Sequence, residues 1–227
     1  VQWVFEQASK AKSISEVIVA TDDNRILEAV NGFGGNAVMT SADHESGTDR
    51  IAEVVRDREC EVVVNVQGDE PLIAPENIDR VVRPLLENAI ESTVTLRILI
   101  KSCEELMDRN VTKVVVDNSN SALYFSKAPI PWDRDKWGGD SIEYSSFDPL
   151  KSFWYKHIGL YAYRKKFLMG FGSLPDSGLE KIEKLEQLRI LEGGFKIKVV
   201  ETNIDSIGVD CEADLAIIEK HLAAVLP

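Results

Sequence analysis

Val62-Val63-Val64-Asn65-Val66-Gln67-Gly68-Asp69-Glu70-Pro71 changes character halfway along. Its first half is a short apolar run, the pattern of a buried strand. Its second half is an amide, a glycine, two carboxylates and a proline. Ligands of open α/β sheets bind just past the carboxyl ends of the strands. That places Asp69 at the mouth of a crevice, where a carboxylate can hold a hard cation. Gly68 lets backbone approach a ligand closely, and Pro71 stiffens the exit. A plain strand followed by a polar turn fits the same ten residues.

Toward the amino end, Val17 to Thr21 is a second buried-strand run. Asp22-Asp23 follows it and reads as the cap of a helix over Arg25 to Val30. Gly32, Gly34 and Gly35 end that helix, and Ala37-Val38-Met39 is the next strand. Ser41 to Arg50 is a polar loop entering a helix through Ile51 and Val54-Val55. Within it, Ser46-Gly47-Thr48 offers hydroxyls and backbone amides, which either cap the helix or meet a base or ribose. His44 has no ligand-like partner in the sequence and is assigned no role.

Toward the carboxyl end, Pro75 to Leu86 reads as a helix with Ile78, Val81, Val82, Leu85 and Leu86 inward. Val94 to Ile100 and Thr112 to Val116 read as strands with a short helix, Ser102 to Met107, between them. A turn at Asn118-Ser119-Asn120 leads into a hairpin strand, Ala122 to Ser126. Pro129 to Arg134 opens a polar stretch, Asp135 to Asp148, long enough to suggest a functional loop. Arg134 can pair a carboxylate through its planar fork, or be a solvated charge beside Asp133 and Asp135. Trp154 to Tyr163 alternates: Tyr155, His157, Gly159 and Tyr161 share one face, and Ile158, Leu160 and Ala162 the other. Leu179 to Leu191 reads as one helix. Its Glu183, Glu186, Gln187 and Ile190 follow helical spacing, so three polar side chains line one stripe. Gly193-Gly194 ends it, and Lys196 to Val200 is a strand. Asp210, in Ile207-Gly208-Val209-Asp210, can cap a last helix over Ala213 to Leu222.

A chain of 227 residues, with 44% hydrophobic and 28% charged, suits one large soluble α/β domain over 1–227. Its net charge of −12 argues against a nonspecific nucleic-acid or anionic-membrane surface. Cys60, Cys103 and Cys211 are odd in number and widely spaced, without a zinc or disulfide pattern, which fits a reducing, cytoplasmic setting. No signal peptide and no apolar run of membrane-spanning length is visible.

Val-Asn-Val-Gln-Gly-Asp-Glu-Pro resembles the central motif of bacterial CMP-Kdo synthetases, the 3-deoxy-manno-octulosonate cytidylyltransferases. Further stretches agree in order: Ala20 to Asp23, Ser46 to Arg50, Ala122 to Ser126, Ile130 to Arg134, His157 to Tyr161, Leu185 to Arg189 and Gly208 to Asp210. They cover nearly the whole chain and separate this family from its sialic-acid-activating relatives. The resemblance implies a Rossmann-like, mostly parallel sheet with helices on both faces, of the nucleotide-diphospho-sugar transferase type. Residues of about 120 to 175 would carry part of the sugar site and a homodimer interface.

It also implies the reaction and its residues. CTP and Kdo would be the substrates, CMP-Kdo and pyrophosphate the products, and lipopolysaccharide the destination. Asp69 and Asp210 would hold Mg²⁺. Ser46, Gly47, Thr48, Arg50, Gln67 and Gly68 would bind the nucleotide. Arg134 would meet the sugar carboxylate, and His157, Tyr161, Glu183, Glu186 and Gln187 the rest of the sugar. The chain departs from the family at its start, which reads as a helix with Val1, Val4, Phe5 and Ala8 at helical spacing. Family members begin with a strand and a basic, glycine-containing loop that cradles the triphosphate. A trimmed sequence is the expectation. Two other readings stay open. One is a cytidylyltransferase for another acidic sugar, such as sialic acid or an amino variant of Kdo. The other, should the loop be truly absent, is a non-catalytic sugar-nucleotide binding protein.

Overall fold

The structure is a computed structural model and describes residues 1–44, 46–137, 153–206 and 208–209. Asp210, the helix expected over 213–222 and the greater part of the loop over 135–148 lie outside the described residues. In chain order the elements are α1 (Gln2–Ala8), β1 (Val19–Thr21), α2 (Asn24–Gly32), β2 (Ala37–Met39), α3 (Gly47–Val55) and β3 (Val62–Asn65). Then come α4 (Pro75–Glu87), β4 (Thr93–Leu99), α5 (Cys103–Met107), β5 (Lys113–Val116) and β6 (Ala122–Ser126). A short α6 (Arg134–Trp137) precedes β7 (Tyr155–Arg164), which α7 (Lys165–Leu168), α8 (Gly178–Glu183), α9 (Gln187–Glu192) and β8 (Lys198–Glu201) follow.

The three valines of β3 show how the layers are built. Successive side chains of a strand face opposite ways. Val62 and Val64 turn toward a core that α1 and α4 close with Val4, Ala8, Ile78 and Leu85. Val63 turns to a second core, which α3 and α9 close with Val55, Leu188 and Ile190. On β7 the aliphatic residues Ile158, Leu160 and Ala162 enter the first core and Tyr161 and Tyr163 the second, as the alternation in the sequence requires. Helices thus cover both faces of the sheet.

Six strands form the main sheet in the order β6-β5-β7-β4-β8, with β3 also on β7. β7 is antiparallel to β3, β4 and β5, and β8 is parallel to β4. Hence β3, β4, β5 and β8 share one direction, with β7 threaded against them. The ladder between β4 and β7 shifts where Thr95 pairs with Tyr161 and Leu96 with Ile158, so Gly159 and Leu160 step out of it. β5 and β6 form the expected hairpin, with Asn120 in a left-handed conformation (φ 57°). β1 and β2 pair in parallel as a separate two-stranded sheet. Both β1 and β3 border a cavity of about 460 Å³. No helix among the described residues is long and apolar enough to cross a membrane.

The stretch read as one helix over Leu179 to Leu191 is two. Ser177 caps α8, and Lys184 ends it in a left-handed conformation (φ 57°) before α9 begins. The break lets two carboxylates reach different elements. Glu183 accepts from the Ser126 hydroxyl at 2.6 Å and from the Lys127 amide at 3.0 Å. Glu186 accepts from the Thr48 hydroxyl, on α3, at 2.7 Å. The polar stripe expected on a continuous helix is therefore divided between two anchoring points.

Candidate active site

The residues nominated for the nucleotide lie at the first turn of α3 and the carboxyl end of β3. Ser46 caps α3: its hydroxyl oxygen accepts from the Asp49 amide at 3.1 Å and donates to the Asp49 carboxylate at 2.9 Å. Gly47, Arg50, Asn65, Gln67 and Gly68 line the cavity between β1 and β3, so four residues nominated from sequence meet there. Arg50 is oriented by the Asp22 carboxylate at 2.9 Å and the Thr40 hydroxyl at 2.6 Å. Asp23 caps α2 through the Arg25 amide at 2.8 Å, as read from the sequence. Thr48 is fully buried and its hydroxyl is already engaged by Glu186. His44 pairs with Glu53 and holds the loop before α3 to the helix.

Asp69 is exposed just beyond β3. Its carbonyl accepts the Val209 amide at 2.8 Å, which ties the Gly208-Val209 segment to the strand end. That contact falls one residue short of Asp210. No hydrogen bond or ion pair engages the Asp69 carboxylate among the described residues, so an oxygen donor of the kind Mg²⁺ prefers stands open. The described residues contain no group of three acidic, histidine or cysteine side chains with ligand-like geometry. Glu70 follows a different course. Its carboxyl is pushed up by burial, accepts from Ser206, and lies 3.8 Å from where a side chain on Gly159 would begin.

Most of the residues nominated for the sugar lie on β7 and at the start of α9, beside β3 because Asn65 and Tyr161 are cross-strand partners. His157 sits edge-on to Phe125 (5.0 Å between ring centres) and tilted against Tyr161 (5.3 Å). Its Nε2 lies 2.9 Å from the Thr95 hydroxyl, which also reaches the carbonyls of Leu160 at 2.9 Å and Ile158 at 3.2 Å. One hydroxyl proton cannot serve the ring and the carbonyls together. The carbonyls have none, so Nε2 carries the donated proton and Nδ1 is left as an acceptor. Burial, with a smaller contribution from Lys127, holds the imidazole down to about 3. A base that weak is neutral at pH 7, so His157 acts as a hydrogen-bonding group and neither as a general base nor as a cation.

Among the described residues, two buried polar atoms here have no hydrogen-bond partner of good geometry: Glu186 Oε1 and the Tyr161 hydroxyl, which has the Thr95 hydroxyl as a polar neighbour. Burial raises the Tyr161 phenol far above its usual range, so it remains a neutral donor. Gln187 is buried in the first turn of α9, next to Glu186. Glu183 is engaged with β6 and its exit, as described above. Arg134 is exposed at the start of α6, and no contact among the described residues joins it to this cluster. Thr95 and Ser206 escaped the sequence reading. The only signal for Thr95 was a hydroxyl in an otherwise apolar strand, and its partners are more than sixty residues away in sequence.

A two-core α/β sheet, a cavity that runs along β1 and β3 to the strand end at Gln67 and Gly68, and the exposed Asp69 just past that end are the arrangement of a nucleotidyltransferase. The cytidylyltransferase family model matches residues 1–197. A 3-deoxy-manno-octulosonate cytidylyltransferase of Geobacter sulfurreducens is 51% identical over 97% of this chain and 88% of its own length. One from Geotalea uraniireducens is 50% identical over 98% of this chain and 88% of its own. Among solved structures, a CMP:2-keto-3-deoxy-manno-octonic acid synthetase complexed with CTP superposes with a TM-score of 0.88 at 37% identity, covering 100% of this chain and 88% of that one. The chain belongs to the family of 3-deoxy-manno-octulosonate cytidylyltransferases.

Proposed function

We propose that the protein transfers the cytidylyl group of CTP to 3-deoxy-D-manno-octulosonate, giving CMP-Kdo and pyrophosphate. The sugar's anomeric oxygen attacks the α-phosphorus in line. The bond to pyrophosphate breaks, and the hydroxyl proton leaves to solvent. The observation that carries the reading is the pair of orphaned polar atoms at the sugar end, the Tyr161 hydroxyl and Glu186 Oε1. Buried polar groups rarely go unpaired, and a donor next to an acceptor suits a polyhydroxylated ligand. CTP binds at the strand-end side of the cavity, against Gly47, Arg50, Gln67 and Gly68, with its phosphates toward Asp69. Ser46 contributes by capping the helix that presents Gly47.

Asp69 and Asp210 are the residues that would hold Mg²⁺. When bound, the metal supplies electrophilic polarisation of the phosphate and favours loss of the hydroxyl proton. Gln187, with Glu186 and His157, orients the sugar, and Arg134 receives its carboxylate. The protein works as a homodimer in the cytoplasm, where CTP is made, and feeds lipopolysaccharide assembly. Pyrophosphate release, followed with CTP and Mg²⁺ in the presence of Kdo, an amino variant of Kdo or sialic acid, tests the assignment. Kdo should be preferred by at least tenfold in kcat/KM, a difference of ~1.4 kcal/mol. Absence of turnover with every sugar would leave a binding protein, and preference for sialic acid would reassign the acceptor.

A further inference from the structure

We infer that Thr48 is a positioning residue that couples the nucleotide end of the site to the sugar end. The inference rests on the cytidylyl-transfer reading and deepens it. Gly47 and Thr48 are consecutive in the first turn of α3, yet they serve opposite ends. Gly47 lines the nucleotide cavity. Thr48 is fully buried, and its hydroxyl donates to Glu186 Oε2 at 2.7 Å across 138 positions of sequence. The other oxygen of the same carboxylate is buried without a partner among the described residues. A carboxylate held at one oxygen and vacant at the other is oriented to receive one hydroxyl of a sugar. Tyr163 is buried against the same pair, and burial, together with the charge of Glu186, raises its phenol, so it stays a neutral neighbour.

The consequence is a mechanical link. A nucleotide that orders the first turn of α3 also fixes Thr48, and through it the rotamer of Glu186. Sugar then meets an acceptor already in place, so CTP and sugar bind more tightly together than apart. By linkage the effect is reciprocal. Thr48 itself touches neither substrate.

The test compares Thr48→Val, which keeps the shape and removes the hydroxyl, with Thr48→Ser, which keeps the hydroxyl. CTP affinity is measured by calorimetry without and with Kdo, in metal-free buffer where no turnover drains the ligands, and the sugar KM is measured in the full reaction. The valine variant should bind CTP alone within about threefold of the parent, well under one tenfold step. Its sugar KM should rise roughly tenfold, the usual effect of losing one buried hydrogen bond. The tightening of CTP by Kdo should fall toward one. Serine should restore both. Glu186→Leu, which removes the acceptor from the other side of the bond, should also abolish the tightening while leaving CTP alone unaffected, which covers the case in which valine fails to fold. Loss of CTP affinity without sugar would make Thr48 a nucleotide contact and overturn the coupling. So would a tightening that survives in valine. An unchanged sugar KM in Glu186→Leu points elsewhere, since it removes Glu186 from the sugar site and with it the reading on which the coupling rests.

Discussion

Single side chains set the chemistry available here. Asp69 is exposed at the strand end and its carboxylate is unengaged among the described residues, so Asp69→Asn should fold normally and lose transfer by a factor of ~10²–10³, the effect of removing one electrostatic contact to a transition state. Near-normal turnover at saturating Mg²⁺ would remove Asp69 from the metal site. His157 is held neutral by burial, down to about 3 against an ordinary 6.5. Its proton is bound less tightly in the folded chain than in the unfolded one. The stability this preserves is complete above pH ~6.5 and falls away as pH drops toward ~3, at about 1.4 kcal/mol per pH unit. His157→Gln lacks this dependence. Between pH 7 and pH 5 the parent should therefore lose about 2 kcal/mol more than the variant in urea unfolding. Equal losses would mean the ring is not kept neutral.

At the scale of elements, the break between α8 and α9 is the feature that periodicity misread. Glu183, Glu186, Gln187 and Ile190 do follow helical spacing, but a left-handed lysine interrupts them. Glycine marks such a position in a sequence and lysine hides it. Lys184→Gly gives opposite answers for the two backbones. In an unbroken helix glycine costs about 1 kcal/mol. At a left-handed position it relieves ~1–2 kcal/mol of strain, partly offset by its own chain entropy, so the melting temperature should rise by roughly 1–3 °C. A fall would restore the continuous helix. The same reasoning shows what was legible. Val62 to Val66 declared a strand because apolar side chains on both faces need two cores, and His157 declared its face through the alternation of β7. The partners of Thr48 and Thr95 could not be read, because a hydroxyl carries no mark of which distant carboxylate or imidazole it will meet. Arg134 remained a proposal for the same reason: its pattern named a charge and not a partner.

For the whole molecule, exposed aromatic side chains suggest where a second copy docks. Trp132 is 55% and Phe153 79% exposed, and both lie within the segment of about 120 to 175 that family resemblance assigns to the interface. Light scattering at micromolar concentration should return about twice the chain mass of 25.3 kDa, and a strict monomer would end the dimer assignment. Replacing Phe153 with Asp should shift the population toward monomer if that aromatic is buried between copies. The threading of β7 has a consequence in time. Val62 pairs with Arg164, and β4 and β5 also find their neighbour in the same late strand. A ribosome adding ~5–20 residues per second makes β3 on the order of five to twenty seconds before the strand that pairs with it. During that interval the newborn chain adds β4 and β5 to β3, and by its end carries three strands with no β7 to receive them. The long, central strand that joins the finished sheet is thus also the one that its other strands must wait for, and a chaperone has its opening there.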